Sequence, residues 1–261
     1  MWQNDFMRLL VDAHQDLAWN ALTFGRDYSL TTAEIRQLEA GGQTPLINGD
    51  TLLGWDAYQR GQVAVVFATL FAAPLRARSH PDLTQYYANA AQAYTLYRRQ
   101  VDHYLRLFEQ HPGKFRLVAS RAQFASLLAK QQTPSSQTSP ASNASFPVGL
   151  VLLMEGAEGV RQPGELEEWW ELGVRIIGPA WMGNRFCGGT GEPGPLTDEG
   201  RRLLESMADF GFSLDVSHMD VRAALQALDC YSGPVLVSHA NSQALLKGDT
   251  GNRHLPDEVI H

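Results

Sequence analysis

The chain has 261 residues, 44% of them hydrophobic and 10% aromatic, which is enough for one large globular core. A net charge of −7 and a pI of about 5.6 argue against general affinity for nucleic acid or an anionic membrane. Two cysteines, Cys187 and Cys230, cannot build a disulfide framework, and the opening MWQNDFMRLL lacks the basic-then-apolar layout of a signal peptide, so a cytoplasmic protein is expected.

In chain order, the first strand expected is RLLVDAH, followed by VAVVFATLF. The longest apolar run, VAVVFATLFAAPL, is too short to cross a bilayer. Thr84 to Gln110 carries apolar residues at helical spacing and is stopped by His111-Pro112-Gly113. Gln131 to Ser145 is polar and low in complexity, and reads as a flexible surface insertion at 131–145. VGLVLLMEG and GVRIIGPA are the next strands. A helix then opens with Thr197 as N-cap, carries Asp198 and Glu199 in its first turn, and runs to Gly211. FSLDVSH, a helix from Met219 to Leu228, and PVLVSHA complete the chain.

The strands are rich in Val, Ile, Leu and Phe without clean polar alternation, the pattern of strands covered on both faces in a parallel sheet. Alternation with helices implies a parallel α/β fold, barrel or doubly wound. Four of these runs end in residue types that bind metals: His14 and Asp16, Glu155, His218, and His239. In such folds the carboxyl ends of the strands converge on the active site. A lone His beside a carboxylate is commonly a structural hydrogen bond, but four such strand ends form a nitrogen–oxygen set suited to Zn²⁺ or a similar divalent ion.

The chain resembles the membrane (renal) dipeptidase family of zinc metallopeptidases. The resemblance rests on VDAHQDLAWN, LLMEGAEG, LGVRIIGPAW, GPLTDEGRRLLESMADFGFSLDVSHMD, GPVLVSHANSQAL and NRHLPDEVI, in the family's order. It implies a TIM-like (β/α)8 barrel of the metal-dependent hydrolase type. It also implies two Zn²⁺, one held by His14, Asp16 and Glu155, the other by Glu155, His218 and His239. Glu155, bridging both ions, would be the catalytic carboxylate, and a metal-bridged hydroxide would attack the peptide carbonyl of a dipeptide or small peptide. Arg253 matches the family arginine that binds the substrate carboxylate. The resemblance also makes a homodimer an expectation.

Two departures from the family pattern stand out. Trp181 occupies the place of a family histidine that contacts substrate; it is read either as a substrate contact or as packing at the barrel mouth. The chain also stops at His261, soon after the sixth run, so a single barrel domain truncated after about six strands is expected, without the family's last-strand aspartate. Asp12 and Asp215 could orient an imidazole, with a barrel-interior salt bridge to Arg175 or a capped loop as the preferred reading for both. His80, His103, His111, His254 and His261 read as surface residues.

Gly189-Thr190-Gly191-Glu192-Pro193-Gly194 matches the G-x-G-x-x-G spacing of a nucleotide-binding oxidoreductase. The loop residues Trp181 to Gly188 separate it from its strand, however, and Pro193 and Pro195 remove N–H donors, so a long mobile loop at the barrel mouth is the better reading. The same five ligand positions also suit a non-catalytic metal-binding relative, or a different hydrolase of the same barrel class. No H-E-x-x-H helix and no serine or cysteine elbow is present.

Overall fold

The apolar runs form one parallel sheet in the computed structural model, which describes residues 9–132, 145–248 and 251–261. The strands are β1 (Leu10–Gln15), β2 (Val63–Phe71), β5 (Phe115–Leu117), β6 (Val148–Glu155), β7 (Val174–Gly178), β10 (Ser213–Asp215) and β11 (Val235–Leu236). Two small pairs lie outside it, β3 (Ala73–Pro74) with β4 (Tyr86–Tyr87) and β8 (Cys187–Gly189) with β9 (Glu192–Leu196). The main sheet runs β1-β2-β6-β7-β10-β11, and β5 also pairs with β6.

β6 is the axis of the sheet. β2 runs beside it in unbroken register from Val65↔Gly149 to Phe71↔Glu155. Its other side pairs with β5 near its start and with β7 near its end. Covered on both edges and both faces, β6 is buried along almost its whole length, which explains its apolar sequence. The sheet and its helices make a half-barrel.

Helices α1 (Leu17–Phe24), α2 (Thr32–Glu39), α3 (Thr44–Asn48) and α4 (Trp55–Arg60) lie between β1 and β2. The long α5 (Ala90–Gln110) starts where the Asn89 side chain accepts from the Gln92 N–H, six residues later than the sequence pattern suggests. The preceding Tyr86–Tyr87 are taken up by the pairing with Ala73–Pro74. α5 buries Tyr97, Gln100 and Tyr104 against the sheet, and their polar ends fix strand termini. Tyr104 donates to the Thr69 carbonyl, Gln100 pairs with both N–H and C=O of Phe71, and Tyr97 donates to the carbonyls of Glu155 and Gly156. The ends of β2 and β6 are thereby held in place.

α6 (Arg121–Gln132) precedes β6, and α7 (Leu166–Glu171) precedes β7. α8 (Asp198–Phe210) has the expected Thr197 cap and ends at Gly211 in the left-handed region. α9 (Val221–Cys230) is capped by Asp220, two residues inside the expected start, and α10 (Asp257–Ile260) is last. The polar stretch Gln131–Ser145 lies outside the described residues for 133–144. Among the described residues no helix is long and apolar enough to cross a membrane.

Candidate metal centre

All five candidate ligands meet at the carboxyl ends of the strands. Glu155, the last residue of β6, is 5% exposed. Its Oε1 lies 3.0 Å from His218 Nε2 and 3.2 Å from His239 Nε2. Its Oε2 lies 3.5 Å from His14 Nε2, which is also 3.5 Å from Asp16 Oδ1. The two Nε2 atoms of His218 and His239 are 2.8 Å apart. One ligand atom each from His14, Glu155 and His239 fall within 4.8 Å of one another.

Local structure aims each side chain. Asp16 sits past the end of β1, at the N-cap of α1, yet its carboxylate makes no capping bond. It accepts from the Thr69 hydroxyl on β2 and faces His14. Asp12 fixes the end of β1 by accepting from the His14 N–H at 3.1 Å and the Gln15 amide at 2.7 Å, so it orients the backbone of His14, not a ring. His218 and His239 stand three residues beyond the ends of β10 and β11. His218 has φ of 67°, uncommon for a residue with a side chain.

Both rings are anchored through Nδ1. His218 Nδ1 lies 2.9 Å from Thr190 Oγ1, and His239 Nδ1 lies 2.6 Å from Ser238 Oγ. Ser238 donates to Asp215, which also accepts the N–H groups of Ser217 and Ser238 at 3.0 and 3.1 Å. The salt bridge to Arg175 considered for Asp12 and Asp215 forms with neither: Arg175 donates to the carbonyls of Ala119, Trp170 and Val174 and stacks on Trp170. Thr190 and Ser238 escape the sequence reading. The signal for Ser238 was the repeated Val-Ser-His, at 216–218 and 237–239.

With each Nδ1–H assigned as donor, both Nε2 lone pairs and Glu155 Oε1 converge on one spot. Such acceptors repel one another unless a cation, or protons in its absence, lies among them. Burial works to raise the Glu155 pKa, but His218 and His239 in contact and the charge of His14 hold it well below the usual carboxylate range. Burial lowers the His218 pKa against the pull of Glu155. Buried His14 Nδ1 has no hydrogen-bond partner among the described residues. Three imidazoles and two carboxylates fit a divalent ion of the zinc type.

Arg253 and Trp181 flank the cluster. Arg253 donates from Nη2 to the His239 carbonyl at 2.6 Å, while its buried Nη1 is unpartnered among the described residues. Trp181 packs edge-on against Phe71 at 5.2 Å between ring centroids and stands 6.3 Å from the His218 ring. The Gly189–Gly194 stretch is the end of β8, the Thr190–Gly191 turn and the start of β9, not a long loop, and no helix follows its glycines directly, so the phosphate-cradle context is missing. His103 is also corrected: it is half-buried beside Tyr104, with its pKa lowered by burial and by Arg106.

A sequence model described as membrane dipeptidase (peptidase family M19) matches residues 7–261. An uncharacterized protein in the PQQ-III 3′ region of Acinetobacter calcoaceticus is 35% identical over 108 residues, covering 38% of this chain and 34% of that protein. Dipeptidase tcpJ of Claviceps purpurea is 31% identical over 124 residues, covering 44% of this chain and 28% of that one. The matched stretch thus spans only about a third of the length of these curated relatives. A Rhodobacter sphaeroides metallopeptidase, solved with a phosphinate mimic of the dipeptide L-Ala-D-Ala, superimposes with a TM-score of 0.67. It is 20% identical, with 97% of this chain and 70% of that chain covered, a likeness of fold.

Proposed function

The chain belongs to the membrane dipeptidase family, and from that premise we propose that it is a zinc-dependent hydrolase of dipeptides and other short peptides. The observation that carries this reading is the convergence of His218 Nε2 and His239 Nε2, 2.8 Å apart, on one oxygen of Glu155. Glu155 presents its other oxygen to His14 and thereby to Asp16. His14, Asp16 and Glu155 would hold one ion, and Glu155, His218 and His239 a second. When bound, two such ions lower the pKa of a water and polarise the scissile carbonyl.

The chain's own groups supply binding and orientation. The free Nη1 of Arg253 takes the terminal carboxylate of the peptide, and a guanidinium suits that bond because it is planar and always charged. Its Nη2, tied to the His239 carbonyl, sets the distance between that carboxylate and the metal ligands. Trp181 and Phe71 form an aromatic wall beside His218 that excludes water from one side of the site.

The test is hydrolysis of a small dipeptide panel by the zinc-loaded chain, with a chelator-treated control and Glu155→Gln. Turnover should vanish on chelation, and Glu155→Gln should lose metal and turnover together. Stoichiometric zinc binding without turnover on any dipeptide would instead support a metal-binding protein without catalysis.

A further inference from the structure

The glycine-rich Gly188–Gly194 stretch has no part in the reaction outlined above, yet its geometry is tightly determined. A Cβ on Gly188 would collide with the Gly194 nitrogen, one on Gly189 would meet the Met182 carbonyl carbon at 2.6 Å, and Gly191 has φ of 72°. These glycines serve the close approach of β8, β9 and the Trp181–Gly183 backbone.

Resting on the metal-site reading, we propose that Thr190, at the tip of this hairpin, is a positioning residue of the metal centre. It fixes the His218 ring with Nε2 facing Glu155 and ties that ring to Trp181.

Three observations converge on Thr190. Its Oγ1 is 2.9 Å from His218 Nδ1, and its N–H donates to the Trp181 carbonyl at 3.0 Å. One residue thus joins a candidate ligand to a candidate substrate contact. The hairpin also braces the left-handed turn that carries His218: Asp220 N–H donates to the Gly188 carbonyl at 3.0 Å, and Gly189 bridges Met219. Finally, the hairpin is anchored from outside by Asn252. That side chain donates to the Gly189 carbonyl and to Asp220, and accepts from the Gly191 N–H at 2.9 Å. Asn252 is the neighbour of Arg253, so the hairpin links Trp181, His218 and the arginine arm.

An imidazole that binds metal through one nitrogen is held in tautomer and orientation by the acceptor on its other nitrogen. Ser238 does this for His239; Thr190 does it for His218, from a hairpin 28 residues earlier. The Thr190 hydroxyl oxygen is the acceptor, and a valine of the same shape removes it alone.

The test is zinc affinity of the full chain, by competition with a chromophoric chelator, for wild type, Thr190→Val and Thr190→Ser. Thr190→Val should bind zinc roughly 10–100-fold more weakly, the usual effect of losing such a partner. Thr190→Ser should restore affinity to about the wild-type level, since it keeps the oxygen. The metal-free melting temperatures of all three should agree, which separates ring positioning from damage to the fold. If wild type and Thr190→Val bind zinc equally, this role for Thr190 is wrong while the metal centre stands. If wild type binds no zinc, both fall.

Discussion

The rings of His14 and His239 lie 3.6 Å apart, tilted by 30°, although they follow strands at opposite ends of the sheet. The order β1-β2-β6-β7-β10-β11 contains five strand-to-strand steps. At about 4.8 Å per step a flat sheet would part its edges by about 24 Å. The sheet is therefore curved enough to bring the residues that follow its two outer strands into ring contact, and the Glu155 carboxylate on β6 lies within 3.5 Å of both rings.

Two ions held there, one on each side of Glu155, would together tie the first strand of the sheet to the last, so metal binding should stabilise the whole fold. A ligand at a hundred times its Kd adds about 2.7 kcal/mol. For a chain of this size that is roughly 5–10 °C in melting temperature. Thermal melts with zinc, and again after chelation, should show the gain and its reversal. His239→Ala should remove most of it. Equal melting temperatures with and without zinc would contradict a metal-bridged sheet.

Arg253→Ala should raise KM for dipeptides by roughly tenfold or more, the value of a charge-assisted hydrogen bond of about 1.5–3 kcal/mol. The metal content should stay unchanged, because the guanidinium contacts the backbone carbonyl of His239 and not its ring. Arg253→Lys should recover little, since an ammonium lacks the second, separately aimed donor that Nη1 provides. An unchanged KM in Arg253→Ala would remove Arg253 from the substrate site.

The candidate ligand positions could be picked out because buried parallel strands leave few reasons to end in His, Asp or Glu, and Glu155 does sit on the last residue of its strand. Thr197 and Gly211 were equally readable, since capping is local chemistry. The bonds that aim the candidate ligand side chains could not be picked out. Thr190 reaches His218 across 28 residues, and Thr69 reaches Asp16 across 53, so only the tertiary fold puts them together. β5 was missed because three residues carry no periodicity, and its pairing with β6 decides it. The Arg175 salt bridge weighed for Asp12 and Asp215 does not form, because backbone, amide and serine donors satisfy both carboxylates.

Asp56 gives the fold a defined acid response. Its carboxylate accepts from the Thr32 N–H at 2.7 Å and the Thr32 hydroxyl at 3.1 Å, and pairs with Arg60. Partial burial opposes ionisation, but these partners bring its pKa down to about 2. A lowered folded-state pKa means stability that is present above the ordinary value near 3.8 and is lost as pH falls through about 2. Because the group is partly solvated, the contribution is on the order of 1 kcal/mol. Asp56→Asn should be less stable than wild type at pH 6 by about that amount in urea unfolding. The gap should close as pH approaches 2. A gap that does not depend on pH would assign the effect to packing instead.

The two cysteines should separate sharply in reactivity. Cys230 is exposed at the end of α9, while Cys187 is 1% exposed in β8. Burial, with a smaller push from Asp220, raises the Cys187 thiol to about 12, so almost no thiolate forms at neutral pH. The native chain should titrate one thiol quickly with a disulfide reagent and the second only on unfolding; Cys230→Ser should show none until unfolded. The slow labelling of Cys187 then reports opening of the β8–β9 hairpin. Because that hairpin contacts His218 through Thr190, bound zinc should slow the labelling further in wild type and less so in Thr190→Val. Rapid labelling of both thiols in the native chain would mean that the hairpin is not closed over its strand.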